Sequence, residues 1–132
     1  MVEPTSEDVL RAAEFRSALR RFERQSDRIA RSSGLTPRWY LVLLLIKGAP
    51  GGSERSTVTD LANRMHLAQS TVTELVARAE EAGLLRREAS ADDGRVAHLA
   101  LTDEGEARLT QAFRSLAAER RALRKAIGRI TD

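Results

Sequence analysis

The chain contains no cysteine. That excludes thiol redox sensing and thiolate zinc sites, because both need a sulfur ligand or nucleophile. Histidine is nearly as scarce. His66 and His98 fall on different elements without a cysteine nearby. A metal site needs three or four convergent donors, so neither is expected to be a ligand and no metal or cofactor is expected. No apolar run reaches membrane-spanning length; the longest, Trp39 to Ile46, is eight residues. The amino terminus, Met-Val-Glu-Pro-Thr-Ser-Glu-Asp, is acidic and polar, unlike a signal peptide. A cytoplasmic location with no membrane partner is therefore expected. A Gly-rich phosphate loop and a His paired with a nucleophile are also lacking, so nothing in the chain points to an enzyme.

An excess of one charge sign is missing too. Net charge is +3, from 22 basic and 19 acidic residues. Residues 35–102 carry eight basic and eight acidic side chains, so the surplus lies in the flanking segments. Charge alone does not argue for nucleic acid. Yet 20 of the 22 basic residues are arginine, the side chain suited to bidentate phosphate and guanine contacts. A GC-rich coding sequence yields the same enrichment, so it assigns nothing by itself.

The 132 residues suffice for one domain with a single core, and most of their information lies in 57–102. Val58, Leu61, Ala62 and Met65 recur at spacings of three and four, which predicts a short helix with one apolar stripe. Thr57 precedes it and Asp60 sits three residues on, resembling a capping box with Asp in place of Glu. Val72, Leu75, Val76 and Ala79 form the stripe of a second helix, which Gly83 stops by offering a left-handed residue. Gln69, Ser70, Thr71, Thr73 and Glu74 face outward on its first turns. They are short hydrogen-bonding side chains of the kind that read base edges and phosphates.

After Gly83 the pattern changes. Leu84, Leu85, Arg86 and Arg87 start too apolar for a free loop, and Ala97, Leu99 and Leu101 alternate with Val96, His98 and Ala100 as a strand would. Ser90, Asp92, Asp93 and Gly94 are turn formers between the two runs. The order is helix, turn, helix, then a β-hairpin, which can place one helix in the DNA major groove and a loop beside it. Arg95 leaves the turn beside carboxylates, and a narrow minor groove attracts such a guanidinium.

These residues resemble the MarR family (multiple antibiotic resistance regulators) of winged helix-turn-helix transcription factors. The family's wing signature, Asp-x-Arg, five residues, then Leu-Thr, is matched by Asp93-Gly94-Arg95 and Leu101-Thr102, followed by Asp103-Glu104-Gly105. Its recognition-helix phrase is matched by Thr71-Val72-Thr73 and Ala82-Gly83-Leu84. The resemblance covers roughly residues 8–130. It implies that Arg95 enters the minor groove and that Asp93 orients it. With Arg64 and Arg78, the candidate DNA-binding set is Arg64, Gln69, Ser70, Thr71, Thr73, Glu74, Arg78, Asp93 and Arg95. Three positions depart from the family pattern. His66 replaces the usual turn Gly; Ala68 replaces the usual Ser or Thr cap, so the helix starts late at Ser70 or is less well capped; Glu74 stands where relatives carry a basic or small residue.

Residues 7–32 are expected to form one long amphipathic helix, with Ala12, Phe15, Leu19, Phe22, Ser26 and Ile29 as its seam. Residues 103–130 repeat the pattern with Leu109, Phe113, Leu116, Arg120, Leu123, Ile127 and Ile130. Arg120 interrupts this second seam, so it should sit at its edge or pair with Glu14 or Glu23. Thr36-Pro37 starts a helix running to Ile46, a buried spine between the helical and winged parts, and Gly48 to Ser53 is the loop after it.

The expected architecture is mainly α with a small β-hairpin wing, a single domain over 1–132. Segments 7–34 and 103–130 are the dimerisation helices, and 36–102 is the winged helix-turn-helix. The resemblance implies a homodimer on double-stranded DNA, a palindromic operator, and a ligand-responsive repressor whose effector is a small aromatic molecule. Trp39, Tyr40 and Arg16 could line an effector crevice, although Trp39 and Tyr40 also suit plain packing. Relatives continue past the position of Asp132 with a further helix. The dimer here is therefore smaller or different in mode, or the sequence is a piece of a longer one. The competing reading is a winged-helix protein-interaction module that has lost DNA binding, favoured by Glu74 and the neutral central segment.

Overall fold

The first helix begins where Thr5 can cap it. In the computed structural model, which describes residues 2–89 and 96–130, the Thr5 hydroxyl accepts from the Asp8 amide at 3.0 Å, and the Asp8 carboxylate accepts from the Thr5 amide at 2.9 Å. This reciprocal box satisfies two donors that a helix start leaves orphaned. Helix α1 then runs Ser6–Ser32. It ends in a Schellman motif, with Leu35 N donating to Ala30 O at 2.9 Å and Gly34 N to Arg31 O at 3.1 Å, Gly34 lying at φ 77°. Helix α2, Pro37–Lys47, starts as the cap-then-proline pattern requires, Thr36 Oγ1 accepting from Trp39 N at 3.1 Å. It is the expected spine: Tyr40, Val42, Leu43 and Ile46 are buried, and α2 packs against α1, α3, α4, α5 and β2. Leu41 keeps one side open, 38% exposed.

A 3₁₀ turn at Pro50–Gly52 leads to α3, Val58–Met65, and α4, Gln69–Glu81. Strands β1, Leu85–Ala89, and β2, Ala97–Leu101, pair antiparallel in the register Leu85 to Leu101 and Arg87 to Leu99. Ser56 adds a one-residue third strand, exchanging both backbone bonds with Leu99 at 2.7 and 3.2 Å. The expected alternation along β2 is only partial. Ala100 is as buried as Leu99 and Leu101, because the helices close over both faces of this short strand.

The expected single helix over 103–130 is two. Helix α5 spans Asp103–Ser115 and α6 spans Ala117–Arg129, broken at Leu116 with φ −89° and ψ −1°. Leu116 is 1% exposed and plugs into the core, while α5 packs against α2 and β2 and α6 packs along α1. One straight rod could not follow both surfaces. The core itself is one cluster built around Leu43, Ile46, Leu61, Val72, Val76, Leu84, Leu99 and Leu116. Each buried aliphatic side chain contributes about 1.5–3 kcal/mol.

Arg120 does not pair with Glu14 or Glu23. It donates to the Phe113 carbonyl at 2.7 Å, and its guanidinium lies over the Phe113 ring, 3.6 Å from the centroid. Phe113 belongs to the last turn of α5, where carbonyls lack helical partners, so the break at Leu116 creates the acceptor that Arg120 takes.

Candidate nucleic-acid interface

Helix α3 presents the expected apolar stripe inward, with Leu61 and Ala62 buried and Val58 and Met65 half-buried. Thr57 caps it, its hydroxyl accepting from Asp60 N at 3.1 Å, so half of the expected box forms. The turn depends on His66, which takes the left-handed conformation at φ 56°, ψ 41°. Histidine tolerates this region better than bulkier side chains do, and Leu67 N donating to Ala62 O at 3.2 Å closes the turn.

Helix α4 begins at Gln69, with Ala68 at the cap position and no side-chain cap bond. The expected later start at Ser70 does not occur; the helix is simply less well capped. Its first amides have no side-chain acceptor and face an electropositive helix end. Val72, Val76 and Ala79 anchor it in the core. At its far end Leu84 N donates to Ala79 O at 2.9 Å and Gly83 N to Glu80 O at 3.0 Å, a second Schellman motif with Gly83 at φ 78°. The orientation of α4 is thus held from both sides of its exposed ridge.

That ridge carries most of the candidate residues. Gln69, Ser70, Thr73, Glu74 and Arg78 are exposed, whereas Thr71 is half-buried at its edge. Glu74 Oε1 accepts from Arg78 Nη2 at 2.8 Å one turn on, so its carboxylate is not an isolated negative charge. Arg64 lies elsewhere. It donates to the Leu45 carbonyl at 2.8 Å in the last turn of α2, tying α3 to the spine. Asp93 and Arg95 lie outside the described residues, as do the turn formers Ser90, Asp92 and Gly94.

The base of the wing is clamped by residues that sequence reasoning passed over. Arg55, just before α3, donates to Glu88 on β1 through Nε at 2.6 Å and Nη2 at 3.3 Å. Arg86 also pairs with Glu88, and Arg87 Nε donates to Glu80 of α4 at 2.8 Å. Each of these pairs is about one-third exposed or more on at least one side, so each contributes on the order of 1 kcal/mol or less. Their geometric effect is to join the wing to α4 and to the segment that leads into α3. Thr102 does the same from the other strand. Its hydroxyl donates to Gly83 O at 2.5 Å and accepts from Gly105 N at 3.1 Å, while its amide donates to Leu84 O at 3.1 Å. The Leu-Thr signal therefore has a structural reason: Thr102 starts α5 and locks the exit of α4. Arg55 gave no such signal, since its partner is 33 residues away in sequence.

Behind the wing, Lys47 at the end of α2 pairs with Glu106 at 2.9 Å and Glu54 at 3.0 Å; the hydrogen bond it donates to Glu106 is the larger cause holding its pKa above the ordinary lysine value. Tyr40, expected at an effector crevice, is 8% exposed within the core, and burial raises its pKa. Trp39 packs half-buried against that core, and Arg16 is exposed on α1. Among the described residues no three His, Asp or Glu converge as a metal site, and no helix is long and apolar enough to cross a membrane.

A helix-turn-helix with a two-stranded wing, set between long flanking helices, defines the winged helix-turn-helix class. The chain belongs to the MarR family of transcription regulators: the MarR family model matches residues 33–96, across the helix-turn-helix and the first part of the wing. The fold is shared with AbsC, a MarR family transcriptional regulator from Streptomyces coelicolor, at TM-score 0.69 and 22% identity over 100% of this chain and 86% of that one. The M. tuberculosis transcriptional regulator MosR, solved in complex with DNA, is 30% identical over 80% of this chain and 73% of its own, with TM-score 0.61. A mutant MarR from E. coli complexed with operator DNA gives TM-score 0.68 at 19% identity, covering 83% and 76%. No curated protein sequence matches the chain.

Proposed function

We propose that this MarR family regulator binds operator DNA sequence-specifically as a homodimer, and that it is a repressor released by a small aromatic effector. The carrying observation is the exposed ridge of α4, polar and uncapped at its start, held rigidly by the buried Val72, Val76 and Ala79 behind it. Gln69, Ser70, Thr73, Glu74 and Arg78 read the major groove, Thr71 contributes from the edge, and the exposed Arg64 joins them from α3 while it ties that helix to Leu45. Arg95, oriented by Asp93, enters the minor groove, a role carried over from the family signature. Residues 36–102 are the DNA-binding part. The DNA complexes of MosR and MarR support this use of the fold. The pairing of Glu74 with Arg78 weakens the case for an interaction module that has lost DNA binding.

The dimer is supported by apolar surface that one protomer leaves open. Val9 and Leu10 are 59% and 57% exposed on α1, and Phe15, Phe113 and Ile127 are also exposed on the flanking helices. No residue of α6 is fully buried. Segments 7–34 and 103–130 form the two-fold interface, which presents two α4 helices to half-sites about one helical turn apart. Ligand response and repression follow the family pattern.

Selection of bound sequences from random duplex DNA tests the reading. Enrichment of a palindromic motif is expected, with Arg95→Ala weakening binding to it by about 1–3 kcal/mol. A pool without enrichment refutes sequence-specific binding. Sedimentation equilibrium tests assembly separately, and a chain that stays monomeric at high micromolar concentration, free and on the selected duplex, refutes the dimer.

A further inference from the structure

The outer face of α1 carries arginines that make no ion pair among the described residues. Arg20, Arg21, Arg24 and Arg28 line one shallow groove with Ser17 and Gln25, and all four arginines are exposed. Arg20, Arg24 and Arg28 stand at successive i, i+4 positions, so they form a straight row about 12 Å long at 1.5 Å rise per residue. Like charges at this spacing oppose helix formation. Glu23 and Asp27 are on the same helix, yet among the described residues no carboxylate lies within ion-pair distance of any of the four. The row lies on the side of α1 opposite Phe22, Ser26 and Ile29, which are half-buried toward the rest of the chain, and Gln25 stands at its edge. It also lies in the carboxy-terminal half of α1, whereas the exposed Val9, Leu10 and Phe15 lie in the other half.

We propose that this arginine row is a second nucleic-acid contact, taking the phosphate backbone of a DNA duplex without regard to sequence. A folded protein partner is disfavoured by the composition of the face, because protein interfaces need a desolvated apolar or aromatic centre and the row contains none. A polyphosphate needs no such anchor. Its affinity comes from displaced counterions, and guanidinium forks match phosphate oxygens bidentately. Helix α1 packs on α2, α5 and α6 and not on α3 or α4 to any comparable extent, so the row is a surface separate from the ridge of α4. The inference goes beyond the proposed operator binding and does not need it.

The absence of cysteine makes a clean experiment possible. Gln25→Cys and, separately, Gln69→Cys are labelled with a photo-crosslinker and irradiated with a random-sequence 30-base-pair duplex over a salt series. Cross-linking from both positions is expected, falling steeply with salt. Adding Arg20→Gln, Arg24→Gln and Arg28→Gln should lower the yield at position 25 by about tenfold while leaving that at position 69 unchanged. Glutamine preserves helix propensity, and circular dichroism confirms the fold. The inference is overturned by a cross-link at position 69 alone, by a position-25 yield that ignores the glutamines, or by displacement from position 25 by polyglutamate at lower charge concentration than by unlabelled duplex. A cross-link at position 25 alone supports the row, and the operator reading is decided separately by the selection of bound sequences.

Discussion

The carbonyl oxygen of Leu84 sits where the side chain of Gly105 would begin: a Cβ built on Gly105 comes within 2.2 Å of it. The first turn of α5 is thereby pressed directly onto the exit of α4. Gly105 has ordinary helical geometry, so it is glycine for space and not for φ. In an open helix Gly→Ala stabilises by about 1 kcal/mol. Here the sign reverses. Gly105→Ala is expected to destabilise by about 1–3 kcal/mol, since backbone must move to admit the methyl group. Thermal unfolding followed by circular dichroism checks it, and a variant as stable as the parent would show that α5 does not make this approach.

The wing clamp yields a prediction that separates orientation from folding. Glu88→Gln keeps the shape but removes the charge held by Arg55 and Arg86. These pairs are partly exposed, so stability should change by no more than about 1 kcal/mol. Affinity for a selected duplex should fall several-fold, because the wing loses its registration against α3. Equal losses in Gly105→Ala and Glu88→Gln, scaling only with stability, would mean that the clamp has no role in binding.

Ser33 offers a substitution that should help. It is 6% exposed, and among the described residues its hydroxyl has no hydrogen-bond partner. Burying an unpaired hydroxyl is unfavourable, so Ser33→Ala is expected to be neutral or stabilising by up to about 1 kcal/mol. Its backbone amide, which caps α1, is untouched. A clear drop in denaturation midpoint would mean that the hydroxyl is satisfied after all.

Acid should open the start of α1 before the core. The carboxyl of Asp8 is held below the ordinary aspartate value, chiefly because it accepts from the Thr5 backbone amide. A depressed carboxylate contributes stability above its unfolded value, and that contribution disappears as pH falls through the lower folded value. Amide exchange at Thr5 and Asp8 should therefore rise as pH falls below the ordinary aspartate range while exchange in α2 stays slow. Asp8→Asn should show fast exchange at the start of α1 already at neutral pH.

How far the sequence reached is clearest residue by residue. The periodicity of α3 and α4, the Thr36-Pro37 start, the stop at Gly83 and the left-handed His66 are local features, each set by neighbours within four or five residues, and each is where the pattern placed it. The break at Leu116 had no local mark; no Gly or Pro announces it, and it arises because α5 and α6 follow different surfaces. Arg120 is the misfit of the seam, but its partner is an aromatic ring and a freed carbonyl, created only by that break. Arg64 and Arg78 look alike in sequence. Only the packed chain shows that the first is spent on Leu45 while the second stands beside Glu74 on the exposed ridge.

The sequence by itself determined the class of fold, the two helices of the turn, the wing strands and the family, because these follow from short-range periodicity, caps and a spaced signature. The tertiary structure decided which arginines are structural and which are free, how Thr102 and Gly105 hold the start of α5 on the exit of α4, how Arg55 ties the wing to the segment before α3, and which face of α1 remains charged and unpaired. Those outcomes depend on groups 19 to 74 residues apart meeting in space, as Thr102 meets Gly83 and Arg108 meets Gly34, and no local pattern encodes such meetings.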